Sequence, residues 1–155
     1  MTIEPIRREV IVRCDPATAF RVFTEEASSW WPLETHSIAV DEREGVQAER
    51  VVFEPRVGGR IYEEISDGST GDWGVIREWA PPERLRIAWK PNDRPAEQAT
   101  DLLITFSPDP DGTRVTLVHD GWEVLGEDGQ ASREAYTGGW PGTLERFTRA
   151  ADAAA

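Results

Sequence analysis

The sequence is poor in the residues that build disulfides, metal centres and basic patches. It has one cysteine, Cys14, one lysine, Lys90, and two histidines, His36 and His119. A lone cysteine excludes an intramolecular disulfide and fits a reducing compartment. Cys14, His36 and His119 are scattered without metal-ligand spacing, so no structural zinc is expected, and no pattern asks for a cofactor. Long apolar runs are missing too. No stretch is long enough to cross a membrane, and Met1 to Arg8 lacks the apolar segment of a signal peptide. A cytoplasmic protein is expected. Positive charge is scarce: 17 basic residues face 29 acidic ones, a net charge of −12. Such a field repels a phosphate backbone, and with no basic patch in the sequence nucleic-acid binding is not expected. There is no Walker loop, nucleophile elbow or dinucleotide fingerprint, and Gly58-Gly59 lacks the strand-to-helix setting of a phosphate loop. With no internal repeat, linker or low-complexity block, the 155 residues fit one domain with one core, spanning 1–155.

What is present is an ordinary globular balance, 39% hydrophobic and 30% charged, with seven tryptophans. Large aromatics in that number mean a heavily aromatic core or an aromatic-lined cavity. Ile6 to Cys14 alternates, Val10, Val12 and Cys14 against Glu9, Ile11 and Arg13, which predicts a strand. Asp15-Pro16 is a helix start, followed by Ala19, Phe20 and Phe23 on one face. A second short helical segment is expected to reach Trp30 and end at Pro32. From about residue 36 the pattern is strand after strand: Arg50 to Glu54, Arg60 to Ile65, Trp73 to Trp79, then Leu85-Ile87-Trp89, Leu102-Ile104-Phe106 and Val115-Leu117-His119. Turn residues separate them at hairpin spacing, so neighbours should pair antiparallel. The period then changes. Tyr136, Trp140, Leu144, Phe147 and Ala151 form one helical stripe, interrupted by Gly138-Gly139 and Pro141, where a kink or a late helix start near Gly139 is expected. The order is strand, two short helices, about six strands, long helix. That is an α+β chain in which a curved antiparallel sheet of six to seven strands needs the long helix as cover.

Candidate site residues follow from these faces. Tyr136 and Trp140 lie one turn apart and, with Trp73, Trp89 and Trp122, either line a cavity for a flat ligand or fill the core. Gly138-Gly139 either leaves room beside Trp140 or permits a bend. His119 points inward with Val115 and Leu117. It either meets a ligand, as hydrogen-bond partner or acid-base group, or is a core histidine bonded to backbone; no positioned nucleophile accompanies it. Arg77 shares a face with Trp73, Val75 and Trp79. On a concave face it needs an anion, Glu63 or a ligand; with a bulge in the strand it is solvated. Cys14 reads as a small buried hydrophobe, His36 as an exposed loop residue, and Glu123 to Asp128 as a solvated acidic loop.

Several of these segments resemble one family. Thr18-Ala19-Phe20 through Trp30-Trp31-Pro32 is similar to its first-helix signature, and Phe53-Glu54-Pro55-Arg56-Val57-Gly58-Gly59-Arg60 to its central hairpin. Trp73-Gly74, Pro81-Pro82-Glu83-Arg84-Leu85 and Trp89 match its middle strands. Thr113-Arg114-Val115, His119 and Gly139-Trp140 match its last strand and final helix. The chain thus resembles the activator-of-heat-shock-protein-ATPase-like branch of the START-like (SRPBCC) superfamily. The resemblance implies the helix-grip fold, with an elongated cavity between the long helix and the concave sheet. It implies an apolar or aromatic small molecule as partner; the faces read above supply Trp73, Arg77, Trp89, His119, Trp122, Tyr136 and Trp140 as the candidate ligand-binding set, with no catalytic residue assigned. Other members are co-chaperones, which makes a chaperone a second candidate partner, or cyclases. A smaller group with similar ends protects producers of enediyne antibiotics, its backbone cleaved at a glycine by the drug; Gly126 is the candidate by position here. Monomer and homodimer both stay open, and fold alone does not choose among these functions.

Overall fold

The computed structural model describes residues 2–91 and 94–155. Seven strands form one antiparallel sheet: β1 (Ile6–Val12), β2 (Ala48–Phe53), β3 (Arg60–Ile65), β4 (Thr70–Ala80), β5 (Arg84–Trp89), β6 (Thr100–Asp109) and β7 (Gly112–Asp120). Their order in the sheet is β1-β7-β6-β5-β4-β3-β2. From β2 to β7 every chain neighbour is a sheet neighbour, as short connections dictate, and β1 closes the far edge against β7. The helices are α1 (Pro16–Thr24), α2 (Ile38–Glu42) and α3 (Gly129–Ala153). The curled sheet wraps α3, which is the helix-grip fold.

The local chemistry explains the elements. The Asp15 carboxylate accepts the Thr18 N–H at 2.8 Å and Pro16 opens α1, so both start signals are used. Phe20 and Phe23 of α1 pack on Phe106 of β6, with ring centres 5.1 and 5.9 Å apart. Phe147 of α3 meets Phe23 and Trp30 at 5.2 and 5.3 Å. Helix α1 and the 3₁₀ turn Ala27–Ser29 therefore plug one end of the grip.

Three sequence expectations change. First, α3 begins at Gly129, before the stripe, and runs unbroken through Pro141 for 25 residues. Proline cannot donate to Thr137 O; the Arg8 guanidinium donates to that carbonyl instead, at 3.4 Å. Second, residues 38–42 form α2 rather than strand. Ser37 accepts the Val40 N–H at 3.2 Å, and buried Glu63 accepts the Ile38 and Ala39 N–H groups at 2.7 and 3.1 Å. The free amides of a helix start are thus taken up. Third, β4 carries a bulge. Ile76 pairs with Ile87 and Glu78 with Arg86, leaving Arg77 as the extra residue. An earlier bulge lies on the β3 side, where Ile61 pairs with Gly74 and Tyr62 with Asp72, leaving Trp73 extra. It reverses the alternation beyond it, so Ile76 is buried and Arg77 is exposed, and the bulge at Arg77 returns Trp79 to the core side.

Candidate functional site

Between α3 and the β3–β5 side of the sheet lies a cleft of about 310 Å³. Its walls are aromatic. Trp31 leads in from the loop before α2, Trp73 from β4, Trp89 from the end of β5, and Tyr136 and Trp140 from α3. The Trp31 ring centre lies 5.0 Å from Trp73 and 6.0 Å from both Trp89 and Trp140. Tyr136 and Trp140 are 6.0 Å apart, the spacing of one helical turn on one face. The mouth carries His36, Asp41 and Thr35, while Ala135 and Gly139 keep the helix side low.

Each indole N–H in this wall is already bonded within the protein. Trp31 donates to His36 O at 2.9 Å, Trp73 to Glu63 Oε1 at 2.7 Å, Trp89 to Tyr136 Oη at 2.9 Å, and Trp140 to His119 Nδ1 at 3.1 Å. The rings are thereby fixed in orientation, and what they offer the cleft is apolar face. Because an indole only donates, His119 Nδ1 must accept. The proton of a neutral imidazole then sits on Nε2, which donates to Thr100 Oγ1 at 2.8 Å; Thr100 in turn donates to Trp89 O at 3.3 Å. A chain of hydrogen bonds therefore runs from Trp140 through His119 and Thr100 to Trp89. Burial lowers the His119 pKa from 6.5 to about 3, in keeping with the neutral form. Tyr136 has its pKa raised by burial, offset in part by the Trp89 donor; its own O–H hydrogen has no acceptor among the described residues.

Of the residues named from the sequence, Trp73, Trp89, Tyr136 and Trp140 line the cleft. His119 does not. It has no exposed surface and stands behind the wall, bonded to Thr100 and Trp140. Trp122 is equally buried, stacked on His119 at 4.1 Å and donating to His119 O at 3.0 Å; it borders a second, smaller pocket. Arg77 lies outside, and Glu63, its suggested partner, bonds Trp73 and the start of α2 instead. Sequence reading missed Trp31, His36 and Asp41 as cleft residues. The Trp30-Trp31 doublet was the available signal, since adjacent residues at a helix end cannot both face the core. Trp30 is buried and Trp31 faces the cleft. Glu123 to Asp128, expected as a loop, lies in 3₁₀ turns over Trp122–Asp128, and Gly126 forms the kink between them at φ 61° and ψ −129°, a conformation open to glycine. Among the described residues no three His, Cys, Asp or Glu side chains gather as a metal site, and no helix is long and apolar enough to cross a membrane.

With the curled sheet, the gripping helix and the internal cleft in view, the comparisons agree on one class. Residues 13–152 match the family model described as activator of Hsp90 ATPase homolog 1-like protein, and the chain belongs to that family. No curated protein matches the chain significantly. Among solved structures, Txn09, an anthrahydroquino-γ-pyrone synthase, is 33% identical with a TM-score of 0.66, covering 96% of this chain and 97% of Txn09. CalC from Micromonospora echinospora, a self-sacrificing resistance protein, is 29% identical with a TM-score of 0.70, covering 96% and 94%. The Aha1 dimer from Colwellia psychrerythraea, 14% identical with a TM-score of 0.64 over 97% of both chains, shares the fold.

Proposed function

We propose that the chain binds a flat, hydrophobic or aromatic small molecule in the cleft between α3 and the sheet, without a catalytic step of its own. The observation that carries this reading is the wall of tryptophan rings whose N–H groups are all bonded elsewhere. Such a wall stacks on a planar apolar body and leaves few polar anchors, as small-molecule sites do. The 33% identity to Txn09, whose name gives an anthrahydroquino-γ-pyrone as what it makes, supports the same ligand shape. His119, sealed behind the wall and held neutral, acts through Trp140 and Trp89 rather than on the ligand. In this reading the chain works in the cytoplasm, as a monomer or homodimer.

The test is a plug. A Cβ added to Gly139 has one neighbour within 4 Å, His36 Nε2 at 3.7 Å, and Gly139 lines the cleft. Gly139→Leu therefore fills the cleft while improving helix propensity. Calorimetric titration with 2-naphthamide should detect binding to the native chain. The variant should bind at least about tenfold more weakly, with an unchanged or higher Tm. A native chain that does not bind, or a variant that binds as well, would sink the reading.

A second reading has one observation in its favour. The chain is 29% identical to a self-sacrificing resistance protein, and Gly126 holds an exposed, glycine-only backbone conformation beside Leu125 of the smaller pocket. Incubation with an enediyne followed by intact mass tests it; an uncleaved chain ends the idea. A chaperone partner rests on the family name, and a pull-down without enrichment of the cognate chaperone would remove it.

A further inference from the structure

The smaller pocket, about 80 Å³, adjoins the aromatic cleft and shares Trp89, Pro91 and Tyr136 with it. Its remaining lining is Arg94, Gln98, Thr100, Trp122, Leu125 and Ser132. The composition departs from that of the chain as a whole. Among the described residues no acidic side chain lines this pocket, in a chain with 29 acidic residues, whereas the main cleft carries Asp41 at its mouth. The Thr100 hydroxyl and the Trp89 and Trp122 N–H groups are already bonded, but other donors have capacity to spare. Half-buried Arg94 has no ion pair or hydrogen bond among the described residues, and neither do the side chains of Gln98 and Ser132. The Tyr136 hydroxyl stands at the boundary of the two spaces. It accepts from Trp89 and so directs its own hydrogen outward. The positive charge of Arg94 and the negative charge of Asp41 both act on it, with opposite sign, as expected for a group between the two spaces.

An arginine without a partner among the described residues, in a chain this rich in carboxylates, is a place for a ligand anion. A guanidinium with a neighbouring O–H and amide matches the acceptor geometry of a carboxylate. The volume of about 80 Å³ admits a carboxylate. We propose that the ligand is an aromatic carboxylic acid, its rings lying against Trp89 and Trp140 and its carboxylate held in the small pocket by Arg94 and the Tyr136 hydroxyl. This inference rests on the reading of the cleft as a small-molecule site and adds the ligand class.

The experiment compares 2-naphthoate with 2-naphthamide, equal in shape and different in charge, by calorimetric titration of the native chain, Arg94→Gln and Arg94→Lys. A charge-assisted contact predicts that the native chain prefers the acid by about tenfold or more. Arg94→Gln should lose that preference and bind the amide as before, and Arg94→Lys should keep part of it. If both compounds bind the native chain equally, or Arg94→Gln keeps the preference, the acid subsite is wrong while the aromatic cleft stands. If neither compound binds the native chain, the cleft reading fails and this inference fails with it.

Discussion

At the scale of single residues, His119 links stability to the shape of the site. The folded chain keeps its imidazole neutral down to about pH 3, against 6.5 for the free side chain. Below pH 6.5 the unfolded chain binds a proton that the folded chain refuses. The stability contribution is therefore complete above pH 6.5 and is lost as pH falls toward 3, by roughly 1 kcal/mol per pH unit once the unfolded imidazole is charged. Urea unfolding at pH 7.5, 6 and 5 should give a shallower pH dependence for His119→Asn than for the native chain. The same variant should be less stable at pH 7.5 by about 1–3 kcal/mol, since Asn keeps an acceptor near the Nδ1 position for Trp140 but loses the Nε2 donor to Thr100. Parallel profiles would clear His119 of the effect, because the carboxylates are common to both proteins. Gly138 gives a prediction of opposite sign. It lies inside α3, and a Cβ built there meets nothing within 4 Å. Gly138→Ala should stabilise by about 1 kcal/mol, seen as a higher Tm; a lower one would mean that the helix needs glycine there. The cost of Gly138 inside a helical stripe was legible in the sequence, and the His119 effect was not. The inward aim of His119 followed from alternation, but what it bonds depends on Thr100 and Trp140, far along the chain.

At the scale of elements, legibility followed periodicity. Strand β3 was readable to its ends, and β5 to β7 by their faces, because alternation with an apolar side survives wherever the register is regular. It failed in β4, where an extra residue at Trp73 turned Arg77 outward and a second at Arg77 turned Trp79 back. It failed again at α2, a five-residue helix too short to display a stripe and held by tertiary contacts. Helix α3 was readable only where it touches the core; its first turns face the small pocket and solvent and carry no stripe. Pro141 suggested a break because its missing hydrogen bond is visible in the sequence and Arg8, which fills the gap, is not. Glu63 shows how α2 and the cleft are joined. Its carboxyl accepts from Ile38, Ala39 and Trp73, so one buried group fixes the α2 start and one wall ring. Glu63→Gln turns an acceptor into a donor facing donors and should cost about 1–3 kcal/mol. Hydrogen exchange at Ile38 and Ala39 should then accelerate more than in β6 and β7. Uniform acceleration would mean that Glu63 supports the whole core and not this junction.

For the whole molecule the net charge of −12 acts against compactness, and it does so over longer distances than the ion pairs. Surface pairs such as Arg21–Glu26 at 2.9 Å and Arg50–Glu64 at 2.9 Å have exposed partners and contribute about 0–1 kcal/mol each. Their charges are in contact, closer than the Debye length even at physiological salt, about 8 Å. The repulsion among unpaired acids across the surface acts over roughly 10–30 Å, the range that salt removes. Screening therefore relieves more repulsion than attraction. The Tm should rise between about 10 and 150 mM NaCl, whose Debye lengths are roughly 30 and 8 Å. Replacing Glu127 by Lys in the acidic run before α3 should raise the low-salt Tm and shrink that rise. A Tm that falls with salt would mean that the ion pairs outweigh the net charge. The proposed acid subsite responds the other way: Arg94 attracts a carboxylate against the field of the chain, so screening acts on both. The field repels at long range and Arg94 holds at contact, and by the same comparison of distances added salt should weaken the preference for 2-naphthoate only slightly. A preference that collapsed by 150 mM would place the acid in the general field of the protein rather than on Arg94.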